Sequence, residues 1–248
     1  MRRWDGWGDE SVDAALGPDG RRLLEAVVGA ASPVAGVSLA DVVAAVPASR
    51  LAAHPLLSSD PELRVRRARG QSLPDLLELR SGRLAAVPDA VARPAEAGQV
   101  RALLDHARAA GARVVPYGGG TSVVGGVSVR PSRDPVVTVD LGRLAGLRGL
   151  DERSGLATVG AGTTGPALAA VLAPRGLVIG HEPQSWELAT VGGWVDCSVN
   201  LKTAVEARPL RQVEACQRHV GGWRERKCTH HCPQDETPAL DRFQLLRN

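Results

Sequence analysis

Three successive glycines, Gly118, Gly119 and Gly120, stand after an apolar Val114-Val115-Pro116 run and Tyr117, and just before the hydroxyl pair Thr121 and Ser122. With no Cβ on three residues in a row, the backbone is free to take positive φ and to approach other groups closely. A strand ending in such a turn can aim several amide N–H groups at one anion, with two hydroxyl donors beside them. Glycine runs also serve tight turns that hold nothing, so the run alone leaves both readings open. Neither a Gly-x-Gly-x-x-Gly opening a helix nor a Gly-Lys-Ser/Thr phosphate loop is expected in this chain. A backbone nest without a lysine suits a diphosphate held by N–H groups.

The flanking pattern mixes strand and helix. Apolar spacings of three and four in residues 21–31 and 39–46, separated by Ser32-Pro33 and closed by Pro47, predict short amphipathic helices, and residues 1–79 read as a small helical region. Within it, Arg64-Val65-Arg66-Arg67-Ala68-Arg69 is expected to be an exposed basic stretch, with anion contact as the alternative. From residue 80 onward short β-like runs begin, at Ala85-Ala86-Val87 and Ala90-Val91-Ala92. Pro94 then precedes a helix over residues 96–110, in which Val100, Leu103, Leu104 and Ala107 form one apolar stripe. Residues 113–115 form a strand leading into the glycine run. Val136-Val137-Thr138-Val139-Asp140 and Leu156-Ala157-Thr158-Val159 read as strands, and Gly160-Ala161-Gly162-Thr163 as a turn. Residues 165–173 have helical composition, stopped by Pro174 and Gly176, and Leu177-Val178-Ile179 returns as a strand. Strands that do not alternate regularly with long helices point to an α+β class rather than a doubly wound parallel sheet.

An apolar fraction of 44% over 248 residues is ample for a packed core. No run of about 18 apolar residues occurs, and Met1-Arg2-Arg3-Trp4-Asp5-Gly6-Trp7 does not open a secretory signal, so a cytoplasmic protein without a membrane span is expected. The net charge of +3 is small and scattered, which argues against a nucleic-acid partner. Residue usage changes near the C-terminus: Lys202 and Lys227, Cys197, Cys216, Cys228 and Cys232, Asn200 and Asn248, and Phe243 all lie beyond Asp196. With no sustained period of 2 or 3.6, residues 197–248 are expected to be an irregular, disordered tail. Cys228-Thr229-His230-His231-Cys232, with Cys216 and His219, has zinc-ligand residue types but no paired-knuckle spacing, so no metal site is expected.

Two segments in order carry a family likeness: VVPYGGGTSVVGG (residues 114–126) and GHEPQSWELATVGGW (residues 180–194). Residues 80–194 resemble the PCMH-type FAD-binding domain of the vanillyl-alcohol oxidase and para-cresol methylhydroxylase family. Within it, both segments are most similar to alkyldihydroxyacetonephosphate synthase and its bacterial relatives, as is the opening RRWDGWGD (residues 2–9). The resemblance implies a two-subdomain fold over residues 80–196, non-covalently bound FAD and a flavin-dependent oxidoreductase lineage. It implies that Pro116, Tyr117, Gly118, Gly119, Gly120, Thr121 and Ser122 wrap the FAD diphosphate. It further implies that Gln184, Ser185, Trp186, Glu187, Leu188, Ala189 and Thr190 line the cofactor from the opposite subdomain. Core roles for Trp186 and Leu188, and helix capping by Glu187, are the structural alternatives. His181 matches a family position that is not a flavin attachment site. Intact relatives act on a small-molecule substrate, with a homodimer implied; the synthase exchanges an acyl for an alkyl group, and other relatives oxidise 2-hydroxy acids.

The likeness stops after TVGGWV (residues 190–195). The family continues with a Thr-Arg-Ala-Ser-Gly-like segment and a return strand, whereas this chain reads Asp196-Cys197-Ser198-Val199-Asn200. The family's catalytic tyrosine and histidines belong to a substrate cap further on, so no catalytic residue is assigned. Together with the change in residue usage, this break leads to the expectation of a reading-frame change near Asp196 and a C-terminally truncated protein. Such a chain is either an FAD-binding domain lacking its cap or a non-catalytic remnant with weak or no flavin binding.

Overall fold

The computed structural model describes residues 2–12, 16–30, 36–196, 240–244 and 246–247. In chain order the elements are α1 (Pro18–Val28), α2 (Leu39–Ala44), β1 (Leu57–Ser58), α3 (Pro61–Arg66), α4 (Leu73–Ser81), β2 (Ala90–Ala92), α5 (Ala97–Ala109), β3 (Arg113–Tyr117), β4 (Val136–Asp140), β5 (Leu147–Asp151), β6 (Leu156–Gly160), α6 (Gly165–Leu172), β7 (Leu177–Val178), α7 (Val191–Asp196), β8 (Leu240–Gln244) and β9 (Leu246–Arg247). The strands form a four-stranded sheet in the order β1-β2-β4-β3, a three-stranded sheet β5-β6-β8 and the pair β7-β9. The class is α+β. Two compact units share the chain. The first comprises Met1–Val91, Ala110–Val115 and Ser122–Thr138; the second comprises Ala92–Ala109, Pro116–Thr121 and Val139–Asn248.

In the first unit the helices begin where side chains cap them. Ser38 accepts the Asp41 amide at α2, Asp60 accepts the Leu63 amide at α3, and Ser72 with Asp75 closes a reciprocal capping box at α4. Gly82 ends α4 at φ 68°, in the left-handed region that glycine enters without strain.

The basic cluster is not an exposed stretch. Arg64 and Arg69 are 2% and 3% exposed. Arg64 donates to the carbonyls of Pro88 (2.6 Å) and Pro47 (2.8 Å). Arg69 pairs with Glu78 Oε2 through Nε and Nη2, at 2.9 and 2.6 Å, and its Nη1 donates to the carbonyls of Ala68, Ala86 and Val129. A guanidinium can be buried when a carboxylate and carbonyls meet its donors, and here they do. The same network removes the strand expected at Ala85-Ala86-Val87. The Ala85 amide is taken by Glu78 Oε2 and the Ala86 carbonyl by Arg69, so neither joins a ladder.

Asp89 fixes the start of β4. It is 3% exposed and accepts from the Val136 amide (2.7 Å), the Arg50 amide (3.1 Å) and the Arg50 guanidinium (2.8 and 2.7 Å). Burial on its own would raise this carboxyl, but the hydrogen bonds from Arg50 and Val136 together hold it below the ordinary aspartate value.

In the second unit, β5 and β6 pair antiparallel with an irregularity between Leu147 and Gly149. Ala157 and Val159 of β6, Leu168 and Leu172 of α6, and Val191 and Trp194 of α7 share one buried cluster. Helix α5 buries Leu103 and Ala107, two residues of the stripe read from its sequence. The irregular tail expected over residues 197–248 is corrected at its far end. Leu240–Gln244 pairs antiparallel with β6, from Leu156↔Gln244 to Gly160↔Leu240, and β9 pairs antiparallel with β7. The outer edge of β6 otherwise presents a row of unpaired backbone groups, and β8 satisfies them without needing any side-chain periodicity. Residues 197–239, which hold Cys216, His219, Cys228 and Cys232, lie outside the described residues.

Candidate functional site

The glycine-rich loop leaves β3 at Tyr117, whose side chain is 3% exposed. Each of the three glycines is required by contact. A Cβ on Gly118 would overlap the Thr190 hydroxyl, one on Gly119 the Leu188 carbonyl, and one on Gly120 the Tyr117 hydroxyl. Gly120 also has φ +64°. The two segments that the sequence singled out, some seventy residues apart, therefore meet backbone to backbone.

The second segment is itself held in place. Thr190 bridges Thr164 antiparallel, the Val191 amide donates to the Thr163 carbonyl at 2.9 Å, and the Gly192 amide donates to the Ala161 carbonyl at 2.8 Å. Upstream, the Ser185 carbonyl accepts from the Leu188 and Ala189 amides, forming a tight turn. Gln184 and Glu187 are exposed on it, while Ala189 and Thr190 are buried. Trp186 takes a packing position. Its ring lies against Gly165, where a Cβ would overlap it, and stacks on Trp194 with centroids 5.5 Å apart and 10° between planes. His181 meets the Trp194 ring edge-on at 5.8 Å, and burial pushes its imidazole below the ordinary histidine value, which favours the neutral form.

The expectation that no Gly-x-Gly-x-x-Gly opens a helix is corrected. Gly160, Gly162 and Gly165 have the Gly-x-Gly-x-x-Gly spacing and lead into α6. The structure gives them a packing role. A Cβ would overlap the Leu144 carbonyl at Gly160, the Leu141 carbonyl at Gly162 and the Trp186 ring at Gly165. Strand β6 is antiparallel to its neighbours, so this is not the parallel βαβ setting of a dinucleotide fingerprint. Gly165 thus seats Trp186 of the second segment, while Gly160 and Gly162 let the turn after β6 pack on the backbone of residues 141–144.

Two observations bear on what the paired segments can hold. The loop and residues 188–190 meet with no room for a Cβ at Gly118 or Gly119. Trp194, 4% exposed, has its indole N–H buried without a hydrogen-bond partner among the described residues, a donor suited to a phosphate or carbonyl oxygen.

A family described as FAD binding domain matches residues 88–198. This part of the chain is an FAD-binding domain. FAD is its cofactor, and both segments of the paired loops fall inside the match. The domain and its surroundings are 34% identical over 128 residues to alkyldihydroxyacetonephosphate synthase of Trypanosoma brucei brucei, covering 51% of this chain and 21% of that protein. The synthase of Dictyostelium discoideum is 31% identical over 139 residues, covering 56% of this chain and 23% of that protein. The chain thus spans about a fifth of the length of these relatives. Two solved structures of alkyldihydroxyacetonephosphate synthase share the fold, with TM-scores of 0.64 and 0.67 at 24% identity, over 78% of this chain and 42% and 41% of theirs. Among the described residues no helix is long and apolar enough to cross a membrane, and no cluster of three metal-ligating side chains occurs.

Proposed function

We propose that residues 116–122 and 184–190 hold FAD non-covalently, and that the chain is the flavin-holding part of an alkyldihydroxyacetonephosphate synthase-like oxidoreductase. The observation that carries this reading is the seating of Gly118 and Gly119 on Thr190 and Leu188, inside a domain whose cofactor is FAD. In this reading the loop backbone binds the diphosphate through N–H groups. The Trp194 N–H offers a further donor. Trp186 acts through packing, fixing the turn that presents Leu188, Ala189 and Thr190. Bound FAD supplies two-electron redox chemistry, and the protein supplies position and exclusion of water. The synthase's own exchange reaction and the oxidation of 2-hydroxy acids are the two activities this lineage suggests.

The test is purification followed by flavin titration. A yellow protein, or a colourless one that takes up one FAD and releases it intact on denaturation, supports the reading. A chain that stays colourless with excess FAD overturns it. That second outcome is what a non-catalytic remnant predicts. The observation favouring the remnant is that the family match ends at residue 198, two residues beyond the point where residue usage changes.

A further inference from the structure

Three rings of the second unit form one cluster. His181 meets Trp194 edge-on at 5.8 Å, and Trp194 stacks on Trp186 at 5.5 Å. Trp186 belongs to the tight turn of the second segment. Its amide donates to the Pro183 carbonyl at 3.0 Å, and the Ser185 carbonyl accepts from Leu188 and Ala189. Pro183 follows His181 by one intervening residue, so the histidine is tied to Trp186 twice, through the Trp194 ring and through the chain that carries the Pro183 carbonyl.

His181 is half-buried, and among the described residues it has neither an ion pair nor a hydrogen bond. Strands β6 and β7 and helix α6, which share the core cluster, carry no charged side chain. Arg148 and Asp151 of β5, Asp196 of α7, and Glu182 and Glu187 on the histidine's own segment are all exposed. Nothing in the cluster compensates a charge on the ring, and burial alone pushes the imidazole below its ordinary value. Once protonated, both ring nitrogens are donors, and water is where their partners are.

We infer that His181 is a pH latch on the second segment: the neutral ring holds the Trp194–Trp186 stack and the turn at 184–190, and the protonated ring leaves it, weakening the hold on FAD. The inference rests on the flavin-binding reading of residues 184–190. His181 is a positioning residue, acting through Trp194, Trp186 and Pro183. The sign follows from burial. An opened segment takes up its proton near the ordinary histidine value of about 6.5, and the closed one only at lower pH. The closed form is favoured in full above that value, and the advantage is lost progressively as pH falls from there to the folded value.

The experiment uses the full chain with His181→Phe and His181→Gln, neither of which titrates; either variant that keeps the parent's circular dichroism serves. FAD affinity is measured by fluorescence titration across this pH range, where FAD titrates no group of its own. The expected result is a parent affinity about fivefold weaker at pH 5.5 than at pH 7.5, against a flat profile in the variant. The proton resonance of the imidazole ring that is missing from the variant gives the His181 midpoint directly, expected below about 6.5 in apo-protein and lower still with FAD. A parent affinity flat with pH, or a variant that declines in parallel with it, overturns the latch alone. So does a His181 midpoint at or above about 6.5, which would show that the Trp194 ring favours the imidazolium. No FAD binding by the parent at any pH overturns the flavin-binding reading and the latch together.

Discussion

At the scale of single residues, the glycines separate backbone need from chemical need. Gly119 has no space for a methyl group against Leu188, whereas a Cβ on Gly126 would meet only the Ser122 hydroxyl at 3.4 Å, an ordinary contact. Gly119→Ala is therefore expected to push the two segments apart and weaken FAD binding at least tenfold, while Gly126→Ala leaves it unchanged. Flavin titration of both variants checks this, and equal affinities would show that the loop contact is dispensable. Asp89 gives a pH prediction. Its carboxyl is held below the ordinary value when folded, so its contribution is complete above about pH 4, the unfolded range, and is lost as pH falls through the folded value. Asp89→Asn is expected to lower the melting midpoint at pH 7 and to flatten its decline in acid; an acid profile parallel to that of the parent would refute the assignment. The glycine run was legible because conformational freedom is written in the residue type. Its contact partners were not, since nothing in Gly119 names Leu188. The buried arginines were misread because charge indicates a preference for water, and only the fold reveals that Glu78, Pro47 and Pro88 offer equivalent partners.

At the scale of elements, periodic segments were readable and edge segments were not. Helix α5 and strand β4 follow from an apolar stripe and a β-branched run. Strand β5 escaped because Gly149 and the register irregularity break its alternation, and α7 escaped because two glycines lead into Trp194. Strand β8 carries no periodic signal at all; the bare edge of β6 determines it. A chain ending at residue 239 is accordingly expected to melt at lower temperature and to self-associate, because that edge becomes a template for other strands. Thermal melting and light scattering provide the check. An unchanged midpoint in a monodisperse sample would mean that β8 contributes nothing.

At the scale of the whole molecule, the two units are interleaved along the chain, with residues 110–115 and 122–138 returning to the first. No compositional boundary marks those crossings, which is why a linear reading divides the sequence differently. Ligand linkage is the molecule-wide test of function. FAD at a hundred times its Kd adds about 2.7 kcal/mol if only the folded chain binds it, so the melting midpoint is expected to rise with FAD and not with equal riboflavin. A midpoint indifferent to FAD would count against a folded flavin site. The pairing of β6 with β8 has a further consequence, for synthesis. Roughly eighty residues separate Gly160 from its partner Leu240. At ribosomal speeds of about 5–20 residues per second, that gap lasts about 4–16 s. For those seconds a nascent chain offers an open strand to any neighbour on the same polysome, so slower initiation, which spaces the ribosomes, is expected to raise the soluble yield.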